Sequence, residues 1–327
     1  MYKKLFIAAA VAAMFAGCTK NEVNPVETPD QEITYQAILS PKTKAGELVF
    51  NTSNVFQSTA YRYLDGALVS GKYIDAATIS FDGTNWKDAS NSYYWPKTGT
   101  LTFHSWTIDK SDLSFSNAAT TVSVNATDGV SISNFDVKAD PVNFMIAEVT
   151  ADKTGNETAY GFTGVPTLFK HMLCKVKCVV KAGETNPDGT LISVKSLSFK
   201  NVVKSGNLTK AAADWTLGAD KDEFAFTVAG TELAKGAQVA SDEVLFIPQV
   251  FTSDDQVLYI KYTVKDNKGV TSEYEQSVPL STTGLFDSAW AKNKFYTLTL
   301  TIGLDEILWA PVEEDWIAGT GSWTVTD

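Results

Sequence analysis

The stretch HMLCKVKCVVKA runs from His171 to Ala182, and its middle alternates. Lys175, Lys177 and Lys181 fall between Val176, Cys178 and Val180. Side chains in a strand point to opposite faces with a period of two, so the pattern predicts one buried and one wet face. LYIKYTVK reads the same way, with Leu258, Ile260, Tyr262 and Val264 opposing Tyr259, Lys261, Thr263 and Lys265. KFYTLTLTI sets Tyr296, Leu298, Leu300 and Ile302 against Phe295, Thr297, Thr299 and Thr301. Helical periodicity is nearly absent; only NLTKAAADW, from Asn207 to Trp215, predicts a short helical turn. Asp65-Gly66, Asp82-Gly83, Asp128-Gly129 and Asp188-Gly189 are turn pairs, because both residue types tolerate positive φ. DNKG, Asp266 to Gly269, sits between two alternating runs and predicts a hairpin. Many short strands with frequent turns predict an all-β chain of sandwich type.

Length and composition narrow this further. The chain has 327 residues, a net charge of −11 and 12% aromatic residues. Binding nucleic acid needs a basic stripe, so no nucleic-acid partner is expected. Cys174 and Cys178 lie four residues apart on one predicted strand face. That places them about 13 Å apart, beyond the reach of a disulfide, and they read as small buried hydrophobes. The strongest interruption falls at Gly161, Gly164 and Pro166, between two strand-rich halves. Two domains are therefore expected, residues 32–166 and 167–327.

The beginning of the chain has a different character. Lys3 and Lys4 precede an apolar run from Leu5 to Phe15, too short to span a bilayer, and Ala16, Gly17 and Cys18 follow. This looks like a bacterial lipoprotein signal covering residues 1–17, with Cys18 as the first mature residue and the site of acylation. Two or three acyl chains hold a protein at a membrane almost permanently. Residues 18–31, with Glu22, Glu27, Asp30, Pro25 and Pro29, read as a flexible acidic tether. An acidic patch at this position resembles the surface-export signal of Bacteroidetes lipoproteins. No later segment is apolar enough for a transmembrane helix.

Candidate chemistry is sparse. His104 and His171 read as polar or satisfied strand positions. No G-x-S-x-G or H-E-x-x-H motif occurs, and neither a metal site nor a cofactor is expected. Asp220, Asp222 and Glu223, or Glu313, Glu314 and Asp315, could flank a glycosidic bond, but as loops on an acidic protein they read first as solvated charge. Tyr93, Tyr94 and Trp95 could form a sugar-binding platform, or pack a sandwich edge ahead of Pro96; packing is the favoured reading.

Several stretches together resemble the fimbrillins, the subunits of Bacteroidetes type V pili. They are YYWPKTGTLTFHSW (Tyr93–Trp106), DPVNFMIAEV (Asp140–Val149), VPTLFKHMLCKVKCVVKA (Val165–Ala182), VLFIPQ (Val244–Gln249) and WAKNKFYTLTLTIGL (Trp290–Leu304). Each is weak alone; their order behind a lipobox is more specific. The resemblance implies two tandem transthyretin-like, Greek-key β-sandwich domains. It also implies lipidated export to the outer membrane surface, proteolytic loss of an N-terminal segment and polymerisation into a pilus by strand exchange. Other pilus subunits are then the expected partners, with the outer membrane reached through the lipid. Host or bacterial surface glycans or proteins are the adhesive targets. A structural subunit of this kind is not an enzyme.

The residues can support that route. EITYQAILSP, Glu32 to Pro41, alternates Ile33, Tyr35, Ala37 and Leu39 against Thr34, Gln36, Ile38 and Ser40, and reads as a first strand. KTKAGE follows it, a polar, small-residue loop of the kind proteases cut. Cleavage after Lys44 would leave Ala45 as the new N-terminus. Near the end, Gly319-Thr320-Gly321 precedes SWTVTD, where Trp323 and Val325 share one face. Residues 319–327 can fold back on their own domain or serve as a donor strand in a neighbour. One departure from the family pattern stands out. The best-known pilins of this type are processed at arginine, yet Arg62 is the one arginine here, inside the strand-like STAYRYLDG. Either a lysine-tolerant protease cuts, or the subunit stays whole as a pilus anchor, a tip adhesin or a lone glycan-binding lipoprotein.

Overall fold

The computed structural model describes residues 31–38, 50–153, 164–209, 215–228, 232–286, 288–304 and 307–316. Every regular element among them is a strand. The first are β1 (Tyr35–Ile38), β2 (Phe56–Leu64), β3 (Ala67–Leu68), β4 (Ile74–Phe81), β5 (Trp86–Asp88) and β6 (Thr100–Thr107). Then come β7 (Thr121–Asn125), β8 (Gly129–Asp136), β9 (Met145–Ala151), β10 (Val165–Leu168) and β11 (Lys170–His171). The second half holds β12 (Cys174–Ala182), β13 (Leu191–Val203), β14 (Ser205–Leu208), β15 (Trp215–Leu217), β16 (Lys221–Ala225) and β17 (Leu233–Ala234). It ends with β18 (Gln238–Phe246), β19 (Val257–Lys265), β20 (Thr271–Pro279), β21 (Lys294–Ile302) and β22 (Ile307–Asp315). The expected helical turn is not seen: Asn207, Leu208 and Trp215 belong to β14 and β15, and residues 210–214 lie outside the described chain.

Alternation becomes burial as expected. Val176, Cys178 and Val180 on β12, and Tyr296, Leu298, Leu300 and Ile302 on β21, are all buried. They face Ile192, Leu197 and Phe199 of β13 and Leu258, Ile260 and Tyr262 of β19 within one apolar cluster. The sheets β18-β12-β21-β22 and β16-β13-β19-β20 thus pack face to face, which is the sandwich the periodicity predicts. Cys174 and Cys178 are free thiols in this core, and burial pushes both thiols up. Turn chemistry holds as well. Asp65 and Gly66 have φ of 51° and 80°, the pairing that a two-residue hairpin between β2 and β3 requires. The Asp266–Gly269 turn joins β19 to β20, closed by Gly269 N–H donating to Asp266 O at 3.0 Å.

The first half builds a nine-stranded sheet in the order β10-β1-β5-β4-β2-β6-β9-β11, with β3 on β2. Its two end strands are neighbours in sequence, separated only by Phe169. Consecutive Cα atoms are about 3.8 Å apart, so the sheet must curl until its ends meet. The curl encloses a second cluster that includes Phe50, Phe56, Trp86, Leu101, Phe103 and Phe169. Pro166 sits in β10, which pairs only with β1 among the described strands; an end strand is where a missing N–H is tolerated. A fourth sheet, β15-β14-β8-β7, joins strands from both halves. The β7–β8 hairpin also meets the first sheet, where Tyr61 and Tyr63 hydroxyls donate to Val124 O and Ala126 O at 3.2 and 3.4 Å.

Both histidines are strand residues, but they are buried rather than at the surface. His171 stacks on Trp316, ring centroids 3.8 Å apart and 5° between planes, and its Nδ1 lies 2.7 Å from Asn143 Oδ1. Lys175 Nζ sits 4.7 Å from the same indole. Burial, and secondarily the Lys175 charge, hold the imidazole well below its ordinary range, at about 3. The folded protein thus keeps His171 neutral while the unfolded chain takes up a proton below about pH 6.5. Its contribution is full above that pH and is lost as pH falls from about 6.5 towards 3, with a slope of at most about 1.4 kcal/mol per unit. In His171→Phe the decline of unfolding free energy between pH 6.5 and 4 is expected to be shallower, checked by denaturant titrations across that range.

Candidate functional site

The residues that the sequence assigns to lipidation, processing and donation lie outside the described chain. Cys18, Lys44 and Ala45 fall in residues 1–30 and 39–49, and Trp323 and Val325 in residues 317–327. What the described residues do define is the place held by the first strand.

β1 is wedged into the curled sheet. On one side it runs parallel to β10, with Tyr35 opposite Val165 and Ile38 opposite Leu168. On the other it meets β5 antiparallel at Tyr35 and Trp86. The residues just before it bind a different segment: Ile33 N–H donates to Tyr93 O at 2.7 Å, and Trp95 N–H donates to Gln31 O at 3.0 Å. Val165 N–H donates to Thr34 O and Phe169 N–H to Ile38 O, both at 2.8 Å. Ser92 Oγ donates to the Glu32 carboxylate at 2.8 Å.

Its side chains complete the core. Ile33, Tyr35 and Ala37 are buried as the alternation predicts, and Ile38, which it places on the opposite face, is buried as well because β1 lies inside the curl. The Tyr35 ring meets Phe56 and Phe103 edge-on, at centroid distances of 5.5 and 5.7 Å. Burial pushes the Tyr35 phenol up, and the Ser58 hydroxyl is the main group opposing that rise. After Ile38 the described chain resumes at Phe50, which is fully buried and stacked on Phe169 at 5.3 Å. Without residues 31–38 the core would open into a slot between β10, β5 and residues 93–95, walled by large aromatics. The sequence showed the strand but not the slot. Ser58 and Ser105, beneath Tyr35, went unremarked; their signal is a small hydroxyl on the inward register of Phe56-Ser58-Ala60 and Leu101-Phe103-Ser105.

The other candidates sort themselves by their contacts. His104 Nδ1 lies 2.9 Å from Glu148 Oε2, its cross-strand partner, with the Tyr61 ring at 5.9 Å. Asp222 pairs with Lys138 at 2.6 Å, and Glu223 accepts from Ser198 Oγ at 2.6 Å. Glu313 and Asp315 share Lys294, at 2.9 and 3.0 Å. These four carboxylates are thus turned to a lysine or hydroxyl rather than to a second carboxylate across a cleft. Trp95 is 6% exposed and packs on Phe103, Tyr93 is half-buried and Tyr94 is exposed, so the stretch forms no three-ring platform.

Fold and slot together define an all-β protein of curled sheet and sandwich whose first strand completes its own core. The chain matches the fimbrillin-like family over residues 49–316 and belongs to that family. Among solved structures it is similar to a fimbrial protein from Bacteroides vulgatus, with 17% identity and a TM-score of 0.60, over 88% of this chain and 100% of that one. A candidate cell adhesion protein from Bacteroides uniformis gives 14% identity and a TM-score of 0.51, over 87% and 99%. No curated protein matches the chain in sequence.

Proposed function

We propose that the protein is a non-catalytic structural subunit of a cell-surface pilus that serves adhesion. It is exported to the outer membrane as a lipoprotein acylated at Cys18. It is cut between Lys44 and Ala45 and joined to its neighbours by strand exchange. Its two sandwich units are those expected at residues 32–166 and 167–327, with the boundary moved to after His171 because β10 and β11 belong to the first sheet; the β7–β8 hairpin of the first docks on β14 and β15 of the second. Residues 319–327 supply the donor, through Trp323 and Val325. One observation carries the reading: β1 fills an interior slot, and only residues 39–49 tie it to Phe50 and the rest of the sheet. A sheet with a missing strand offers unpaired N–H and C=O groups and side-chain pockets, the physical basis of strand addition.

A second reading, an uncut pilus anchor, tip adhesin or lone surface lipoprotein, is favoured by Arg62. It lies within β2 and donates from Nη2 to Thr98 O at 3.0 Å, so an arginine-specific cut there would sever a central strand. Mass spectrometry of the N-terminus, from outer-membrane and sheared surface fractions, separates the two. An unlipidated terminus at Ala45 is expected for a polymerising subunit. An acylated Cys18 as the only form would leave β1 in place and sink the stalk reading.

A further inference from the structure

The end of β22 is fastened in a way that its own sheet does not explain. β22 is an edge strand, paired only with β21 among the described strands. Its last four residues, Val312 to Asp315, are exposed. Glu313 and Asp315 reach Lys294, but both carboxylates lie at the surface, where ion pairs contribute little. Beyond these, only backbone pairing with β21 holds this end, until Trp316, which is 6% exposed. The Trp316 indole lies flat on the His171 ring, centroids 3.8 Å apart, and Lys175 Nζ is 4.7 Å from it. Trp316 N–H donates to Asn293 O at 2.9 Å. Asn293 N–H donates to Leu173 O at 3.0 Å, and Asn293 Oδ1 accepts from His171 N–H at 3.3 Å. A φ of 61°, which asparagine tolerates, lets this one residue serve all three. His171 is held in turn from the first sheet, by pairing with Met145 and by Asn143 Oδ1 at 2.7 Å from Nδ1. Trp316 is thus tied to both units at once, and residues 317–327 follow directly after it.

The place of this fastening matters under load. The slot wall β10 leads through Phe169 into β11, whose His171 carries Trp316. A pull between the slot and residue 317 therefore enters and leaves the second sandwich at one end. It does not run along β22 but lifts the strand from its last residue. Backbone bonds lifted in this way give way one pair after another, and each alone is weak. With Trp316 in place, a buried ring must leave its socket before the first pair can open.

We propose that Trp316 is the anchor of the C-terminal segment: seated on His171 and Asn293, it keeps a pull on residues 317–327 from peeling β22 off β21 and passes the load to both units. The role rests on the strand-exchange reading, in which a neighbour holds residues 319–327 and every joint of the polymer pulls on them. The fastening itself belongs to a single subunit. His171 and Asn293 are positioning residues, acting through the indole they hold.

Force spectroscopy on the uncut full chain tests it. One handle goes on a thiol at Ser70→Cys, in an exposed loop of the first unit, and the other on a tag after Asp327. Cys18→Ser removes the competing thiol, since Cys174 and Cys178 are buried. At one fixed force Trp316→Ala is expected to release β22 about a hundredfold sooner than wild type, the scale of losing a buried indole. The release is read as a short step before the subunit unfolds. His171→Ala should release about tenfold sooner, and His171→Phe, which restores a ring to stack on, should return close to wild type. That pair carries the test even where Trp316→Ala does not fold. A second pull, between Ser70→Cys and Lys268→Cys, follows a path that leaves out β22, and there Trp316→Ala should show no early step. Unchanged release in Trp316→Ala, or no recovery of His171→Phe over His171→Ala, overturns the anchor. An early step in both pulls overturns it as well, because it reports general loosening. Failure of strand exchange shows elsewhere, as cut subunits that stay monomeric. That result removes the load and overturns the role, even where the uncut chain still resists the pull.

Discussion

A chain that begins at Ala45 unfolds about 10 °C or more below one that keeps residues 31–38, at dilutions where neither scatters light. Ile33, Tyr35 and Ile38 are each 6% exposed or less. Full burial of such side chains is worth roughly 1.5–3 kcal/mol apiece, and an emptied slot adds a cavity term. The stability of a whole domain is only about 5–15 kcal/mol. For a cooperative unit of about 150–250 residues each kcal/mol moves the midpoint by about 2–4 °C. Calorimetry of the two forms measures the gap, and adding the residues 31–41 peptide should close much of it. Equal midpoints would mean that β1 is ornamental and that its removal opens nothing.

The same numbers explain why a cut matters. Ordering residues 31–38 carries an entropic cost that offsets a large part of the burial. While residues 39–49 are intact, β1 rebinds as an intramolecular ligand at an effective concentration in the millimolar range. After cleavage it becomes a free peptide at its bulk concentration and drifts away. Proteolysis therefore converts a strand that always wins its slot into one that an incoming strand can outcompete. No contact in the slot needs to change.

Strand existence and facing were legible because alternation is local. Val176, Cys178 and Val180 declare their face within seven residues, and Asp65-Gly66 declares a hairpin within two. Partners were not legible. β1 lies beside β10, about 130 residues later, in parallel register, and nothing in either segment names the other. Alternation reports which face is dry and is silent on which edge is paired. The curl of the first sheet follows from that pairing, so the slot was hidden with it. The histidines read as polar surface or satisfied strand positions; which of the two holds depends on partners that local alternation does not name, Asn143 for His171 and Glu148 for His104. Trp95 was read correctly as packing, since Pro96 ends its segment and the neighbouring Phe103 offers a ring to meet.

Trp323→Asp is expected to abolish polymers altogether while leaving the unfolding midpoint of the uncut monomer where it was. The slot that such a donor would enter is walled by Phe50, Phe56, Trp86 and Phe103, and no lysine or arginine is buried among the described residues. An ionised carboxylate placed there without a partner loses its hydration for nothing, a penalty of several kcal/mol that exceeds what a short strand gains by pairing. In the uncut monomer β1 already occupies that space, so a carboxylate at position 323 does not enter it. Sedimentation of cleaved protein reads the polymer, and calorimetry of uncut protein reads the monomer. Trp323→Tyr should polymerise nearly as well as the wild type, because a phenol restores a ring for Phe56 and Phe103 to meet. The full chain carries −11 and its first 44 residues +1, which leaves −12 on each cut subunit, so association of the wild type should also quicken with salt, as screening weakens the repulsion between like-charged copies. Normal polymers from Trp323→Asp would remove residue 323 from the donor role and return residues 319–327 to their own subunit.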